Sequence, residues 1–152
     1  MNSQDMILDV MRTQGKADAL DLRGRASGMD GTAIIAEEVK APAFDPTKDY
    51  SKWPVGAPVQ DEGQVWTLIQ PYNAADHEGR PSILRALWGL CHTKDPARAK
   101  PFVASYGTSG LYAKGECCTD PEADDPAAVY RSKVDDNAYS PSAYPQNWEL
   151  VE

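Results

Sequence analysis

The chain has no apolar run approaching the roughly 18 residues that a bilayer-crossing helix needs, so no membrane insertion is expected. It has no surplus of positive charge: its 152 residues carry 15 Lys and Arg against 23 Asp and Glu, a net charge of −8. A phosphate backbone calls for a basic footprint. None is readable here, so no nucleic-acid partner is expected, and anionic membrane surfaces are disfavoured on the same ground. Phenylalanine is scarce, with 2 residues beside 7 Tyr and 4 Trp. The rings are therefore mostly of the kind that joins an apolar body to a polar tip. Cysteine is scarce too, and an odd count of 3 does not make a disulfide framework. The adjacent Cys117 and Cys118 read as small buried thiols in a strand, because a bond between neighbours strains ordinary disulfide geometry. Cys91 and His92 form one Cys–His pair with no second pair at zinc spacing, and no acidic run has the EF-hand order. No metal or cofactor is expected.

Signatures of catalysis are also missing. Glycoside hydrolysis needs two carboxylates across a cleft, whereas the acids here cluster in turn-like runs such as PEADDP and VDDN. His77 and His92 have no Ser or Cys nucleophile at a recognisable spacing, and GTSG lacks the nucleophile-elbow pattern. GTSGLYAKG fails the phosphate-loop spacing and reads as a turn before a strand. The expectation is a protein that is not an enzyme. The opening MNSQDMILDVMRTQG has neither a basic start nor a long apolar stretch, so no signal peptide is read. Synthesis in a bacterial cytoplasm is expected, with exit by lysis or inside an assembled particle.

What is present falls into three parts. Residues 1–42 contain no aromatic ring. Met6, Ile7, Val10 and Met11 share one helical stripe, with Ser3 or Asp5 as the cap and Gly15 as the stop. A weaker helix interrupted by Gly24 and Gly28 follows, then a short piece capped by Asp30 or Thr32 and ended by Pro42. A helix this small cannot bury its stripe alone. It packs on its own chain, on copies of itself, or on a larger partner. Anchoring or oligomerisation is the role read for it.

From Phe44 onward the chain is rich in Pro, Gly and rings, and it repeats. Trp53 stands three residues before Gly56, and Tyr112 three before Gly115. After each Gly comes a short apolar strand (APV, ECC), then an acidic turn (QDEG, TDPEADDP), then an aromatic strand (QVWTLIQ, AVYRSKV). Trp66 is followed seven residues later by Asn73, and Tyr130 by Asn137. Each copy closes on a Trp six residues after PS, at Trp88 and Trp148. Strand, acidic turn and strand read as a β-hairpin, with the closing Trp on a third extended piece. The expected fold is mainly β with an N-terminal α-helical segment: two small three-stranded antiparallel modules in tandem, over 43–99 and 100–152.

This pattern resembles the small chitin-binding-type carbohydrate-binding modules of families five and twelve, here as two tandem copies over about 44–90 and 102–151. Such modules accompany chitinases and also occur in phage tail proteins. The leading helices followed by tandem modules resemble small prophage proteins of gut Firmicutes, encoded near tail-fibre and lysis genes. Where these modules usually carry Asp after the Gly, this chain has Ala57 and Glu116. The resemblance implies a structural protein of the virion or tail that attaches to surface glycans, with the helices binding other virion proteins or further copies of the chain. The alternative is a free or lysin-associated protein that binds a cell-wall glycan. Aromatic faces suit the apolar face of a pyranose, and nearby amides and carboxylates suit its hydroxyls. The candidate glycan-binding rings are Trp53, Tyr72 and Trp88 in the first copy and Tyr112, Tyr139 and Tyr144 in the second. Trp66, Tyr130, Trp88 and Trp148 recur at matched places, as core rings would, so Trp88 stands in both sets. Tyr72, Tyr139 and Tyr144 are expected to be exposed.

Overall fold

The computed structural model describes residues 2–152 and has an N-terminal helical part followed by two β-sheets. Helix α1 spans Ser3–Arg25. Asn2 is its cap: the Asn2 side chain accepts the Asp5 N–H at 2.9 Å, and Asp5 answers on the Asn2 N–H at 3.5 Å. Those two bonds form a capping box. The helix does not stop at Gly15. An interior Gly costs only about 1 kcal/mol relative to Ala, too little to end a helix of this length.

Only Leu22 of α1 is buried. Met6, Ile7, Val10 and Met11, the expected stripe, are 56%, 60%, 68% and 64% exposed. The C-terminal end of α1 is tied down. Arg25 bridges Asp21 at 2.7 Å and Glu37 at 2.8 Å. Asp30 then caps the short helix α2, Gly31–Ala36, by accepting the Ala33 N–H. Ile34 and Ile35 of α2 bury against Ala26, Val65 and Cys91. Gly31 lets this helix lie directly on the His92 backbone, where a Cβ would collide with the His92 carbonyl. The helical part therefore divides: its end packs on its own chain and its beginning does not.

The first sheet is antiparallel, with β1 (Pro58–Asp61), β2 (Gln64–Leu68) and β3 (Trp88–Leu90) in that order. Glu62 and Gly63 form the β1–β2 turn, with φ of 53° and 75°. Two positive φ values in a two-residue turn match the right-handed twist of the flanking strands. The second sheet has four strands: β4 (Lys100–Pro101), β5 (Cys117–Thr119), β6 (Val129–Ser132) and β7 (Trp148–Leu150). β5, β6 and β7 are antiparallel as expected. β4 is an addition, pairing parallel to the outer edge of β5. The first module has the same feature in reduced form, a single parallel bridge between Ala43 and Gln60.

The two modules build their cores alike. In the first, Phe44 stacks on Tyr50 at 5.9 Å, and Trp88 meets Tyr50 edge-on at 5.3 Å. In the second, Phe102 stacks on Tyr112 at 5.3 Å, and Trp148 meets Tyr112 at 5.3 Å. Tyr50 OH accepts the Asp45 N–H, and Tyr112 OH accepts the Val103 N–H. The counterpart of Tyr112 is thus Tyr50, not Trp53 as the spacing to Gly56 implied. Gly56 and Gly115 do correspond: both have φ of 93°, and each N–H bonds to the carbonyl of the residue that pairs with the closing Trp.

The modules also touch. Past β3 the chain bonds across to the second sheet, with the Cys117 N–H on the Thr93 carbonyl at 2.7 Å. His92 stacks on Tyr112 at 3.6 Å, and its Nε2 lies 2.9 Å from the Gly110 carbonyl. Arg85 donates to the Ala104 carbonyl and Gln64 to that of Pro101, while Lys100 of the second module pairs with Glu38 of the helical part at 3.1 Å.

Candidate glycan-binding surface

The candidate rings separate by burial, and an indole N–H decides much of the sorting. A buried Trp must place its one donor. Trp88 is fully buried, and its Nε1–H donates to Tyr72 OH at 2.8 Å. That bond draws Tyr72 in to 7% exposure, against the expectation that it faces outward. Tyr112 is 2% exposed between His92 and Phe102. Trp88, Tyr72 and Tyr112 therefore offer no face to a sugar; they are the core that holds each sheet to its loops. Trp53 is half-buried. Tyr50 meets it edge-on at 4.6 Å, and the Arg23 guanidinium lies 3.7 Å over its ring. The Arg23 cation covers one face of the indole. Trp66 and Trp148 are buried, as expected of core rings, while Tyr130 is only half-buried.

Tyr139 and Tyr144 remain, at 58% and 43% exposure. Their ring centroids are 5.5 Å apart with planes tilted by 36°. The loop that carries them is fixed from below. Trp148 donates its indole N–H to the Tyr139 carbonyl at 2.8 Å. Asn137, 2% exposed, accepts the Tyr139 N–H, donates to Ser132 Oγ at 3.0 Å and exchanges both backbone bonds with Tyr112. The Tyr144 N–H bonds back to the Ser140 carbonyl. An exposed pair on a rigid loop loses little entropy on binding.

The same loop borders a groove of about 750 Å³. Tyr130 and Leu150 lie on its walls, with Glu122, Asp124 and Asp125 on the long acidic turn and Pro145 beside Tyr144. The first module has only the two-residue turn Glu62–Gly63 at the corresponding place. Sequence reading did not single out Tyr106, which is 59% exposed on a tight turn closed by two bonds with Ser109. The signal was a lone ring between Ser and Gly, directly before the GTSG stretch that was read only as a turn.

The nucleophile-like groups are buried and unreactive in character. Cys91, Cys117 and Cys118 are free thiols. Burial pushes the Cys91 thiol up to about 12 and raises Cys117 and Cys118 as well, so none is a ready thiolate. Burial pulls His92 down to about 4, with Arg85 adding to the shift against the Gly110 bond. Among the described residues no group of three His, Cys, Asp or Glu is placed to hold a metal ion, and no helix is long and apolar enough to cross a membrane.

No protein-family model matches the chain, and no curated protein matches it significantly.

Proposed function

We propose that the protein is a non-enzymatic surface-attachment component of a phage or prophage particle, associated with the tail or fibre, and that its modules engage glycans. The supporting observation is the Tyr139–Tyr144 pair, exposed and locked to the core through Trp148 and Asn137. Two tilted rings beside a groove with carboxylates combine the stacking faces and hydroxyl partners that sugar recognition uses. The free start of α1 supplies the anchor. It places Met6, Ile7, Val10 and Met11 in solvent, where a second copy or another virion protein would cover them. Weak glycan contacts multiplied over several copies would give useful avidity.

Two measurements test this. Binding of chitin-type and cell-wall oligosaccharides should be lost in the Tyr139→Ala/Tyr144→Ala variant while its fold stays intact; undiminished binding sinks the assigned surface. Light scattering should give an oligomer for the full chain and a monomer for a chain starting at Ala19, which keeps Leu22 and α2 in place. Monomers for both would remove self-assembly and leave another virion protein as the partner.

A further inference from the structure

The acidity of the chain hides one cationic feature. Arg12, Lys16 and Arg23 stand at four- and seven-residue intervals on α1, which puts them on one face of the helix. They line a groove of about 540 Å³ together with Lys48, which reaches in from the first module. Leu20 and Pro42 provide apolar sides, and no carboxylate lines it. Nearby acids on the helix are engaged elsewhere. Asp18 accepts the Gln14 amide at 2.8 Å, and Asp21 is held by Arg25 at 2.7 Å. Asp9 lies one turn nearer the N-terminus, so the positive stretch begins at Arg12.

Arg23 is fixed in place. Its guanidinium lies 3.7 Å over the Trp53 ring, with Lys48 Nζ at 5.5 Å from the same ring. A guanidinium stacked on an indole is held in one orientation, which suits it to carboxylate or phosphate oxygens.

The spacing of the charges narrows the ligand. At a rise of about 1.5 Å per residue, Arg12 and Lys16 are about 6 Å apart along the helix, and Lys16 and Arg23 about 10 Å. A nucleic-acid duplex carries charge far more densely, about one per 1.7 Å of its axis. A polymer with about one acid group per sugar ring fits the interval and adds C–H surface for Leu20 and Pro42.

We propose that the groove between α1 and the Pro42–Lys48 stretch binds an acidic polysaccharide through its anionic groups. This rests on the attachment reading and adds a second, charged subsite to it. The test uses the full chain with polygalacturonate, a neutral chitin oligosaccharide and single-stranded DNA of matched charge. The readout is tryptophan fluorescence at low and high salt for the groove, and isothermal titration calorimetry for the neutral oligosaccharide. Trp66, Trp88 and Trp148 are 1%, 0% and 5% exposed, so Trp53 should dominate any change. Polygalacturonate should bind, weaken with salt, and lose at least tenfold in the Arg12→Ala/Lys16→Ala/Lys48→Ala variant, whose altered side chains are all exposed. Neutral oligosaccharide binding should not change in that variant. Undetectable polygalacturonate binding, equal affinity in the variant, or tighter binding of DNA overturns the proposal. If polygalacturonate fails while the neutral sugar still binds through Tyr139 and Tyr144, the groove alone is refuted; if both fail, the attachment reading falls with it.

Discussion

His92 should make the fold sensitive to mild acid. The ring is 8% exposed, stacks on Tyr112 at 3.6 Å, and lies with Nε2 at 2.9 Å from the Gly110 carbonyl. That geometry selects the neutral tautomer with the proton on Nε2. Burial is the main reason its pKa falls from 6.5 to about 4. In the unfolded chain the ring takes a proton near its ordinary value; in the folded chain it resists until about 4. Between these values the unfolded state binds more protons, so stability is fully present above about 6.5 and is lost as pH falls toward 4. At about 1.4 kcal/mol per pH unit the loss totals about 3 kcal/mol, a large share of the about 5–15 kcal/mol that a domain has. The assay is urea unfolding at steps from pH 7 to pH 4, for the wild type and for His92→Gln, which keeps a donor for Gly110. The variant should start less stable, because it lacks the stack, and the gap should close by about 2–3 kcal/mol across the range. Parallel stability profiles would refute the reasoning, as would a proton titration of His92 in the folded protein near 6.5.

Two other perturbations probe the core and the docking of the helices. Trp88→Ala should cost about 3–5 kcal/mol, the usual loss for a fully buried ring, and Tyr72→Phe about 1–3 kcal/mol, because it orphans the Trp88 indole N–H. Chemical unfolding measures both, and a cost for Tyr72→Phe under a few tenths would mean that the bond is not made. Gly56→Ala should cost more than Gly63→Ala. Both glycines have positive φ, but a Cβ at Gly56 would lie 3.0 Å from Ser27 Cα, while one at Gly63 meets nothing. Equal losses would show that the helical part does not press on this loop.

Much of the fold was legible because its strongest signals are local. The acidic hairpin turn, the alternation in VWTL and the closing tryptophans marked both sheets. The start of α2 was readable as Asp30 or Thr32, and Asp30 is the cap. The failures came where tertiary contacts decide. Spacing matched Trp53 to Tyr112, but six residues separate Tyr50 from Gly56 and only three separate Tyr112 from Gly115, and nothing in one sequence says where the extra residues go. Gly15 was read as a stop, yet an exposed Gly costs a helix too little to end it. β4 left no trace, since two residues ending in a proline carry no periodicity. Of the six candidate rings, Tyr139 and Tyr144 lie at the surface, and the other four were displaced by contacts between segments far apart in the chain.

The indole donors explain why the two modules present different surfaces on the same scaffold. Each closing Trp packs edge-on against a buried Tyr, Tyr50 or Tyr112, and each must place one N–H. In the first module Trp88 uses the Tyr72 hydroxyl, so that ring has to lie inside. In the second, Trp148 uses the backbone carbonyl of Tyr139. A carbonyl satisfies the donor equally well and makes no demand on the side chain attached to it. The Tyr139 ring is thereby released to the surface while its backbone stays pinned to the core, and Tyr144 meets it there. The first module uses its spare tyrosine to complete its core; the second, with that need met by the main chain, leaves both rings at the surface.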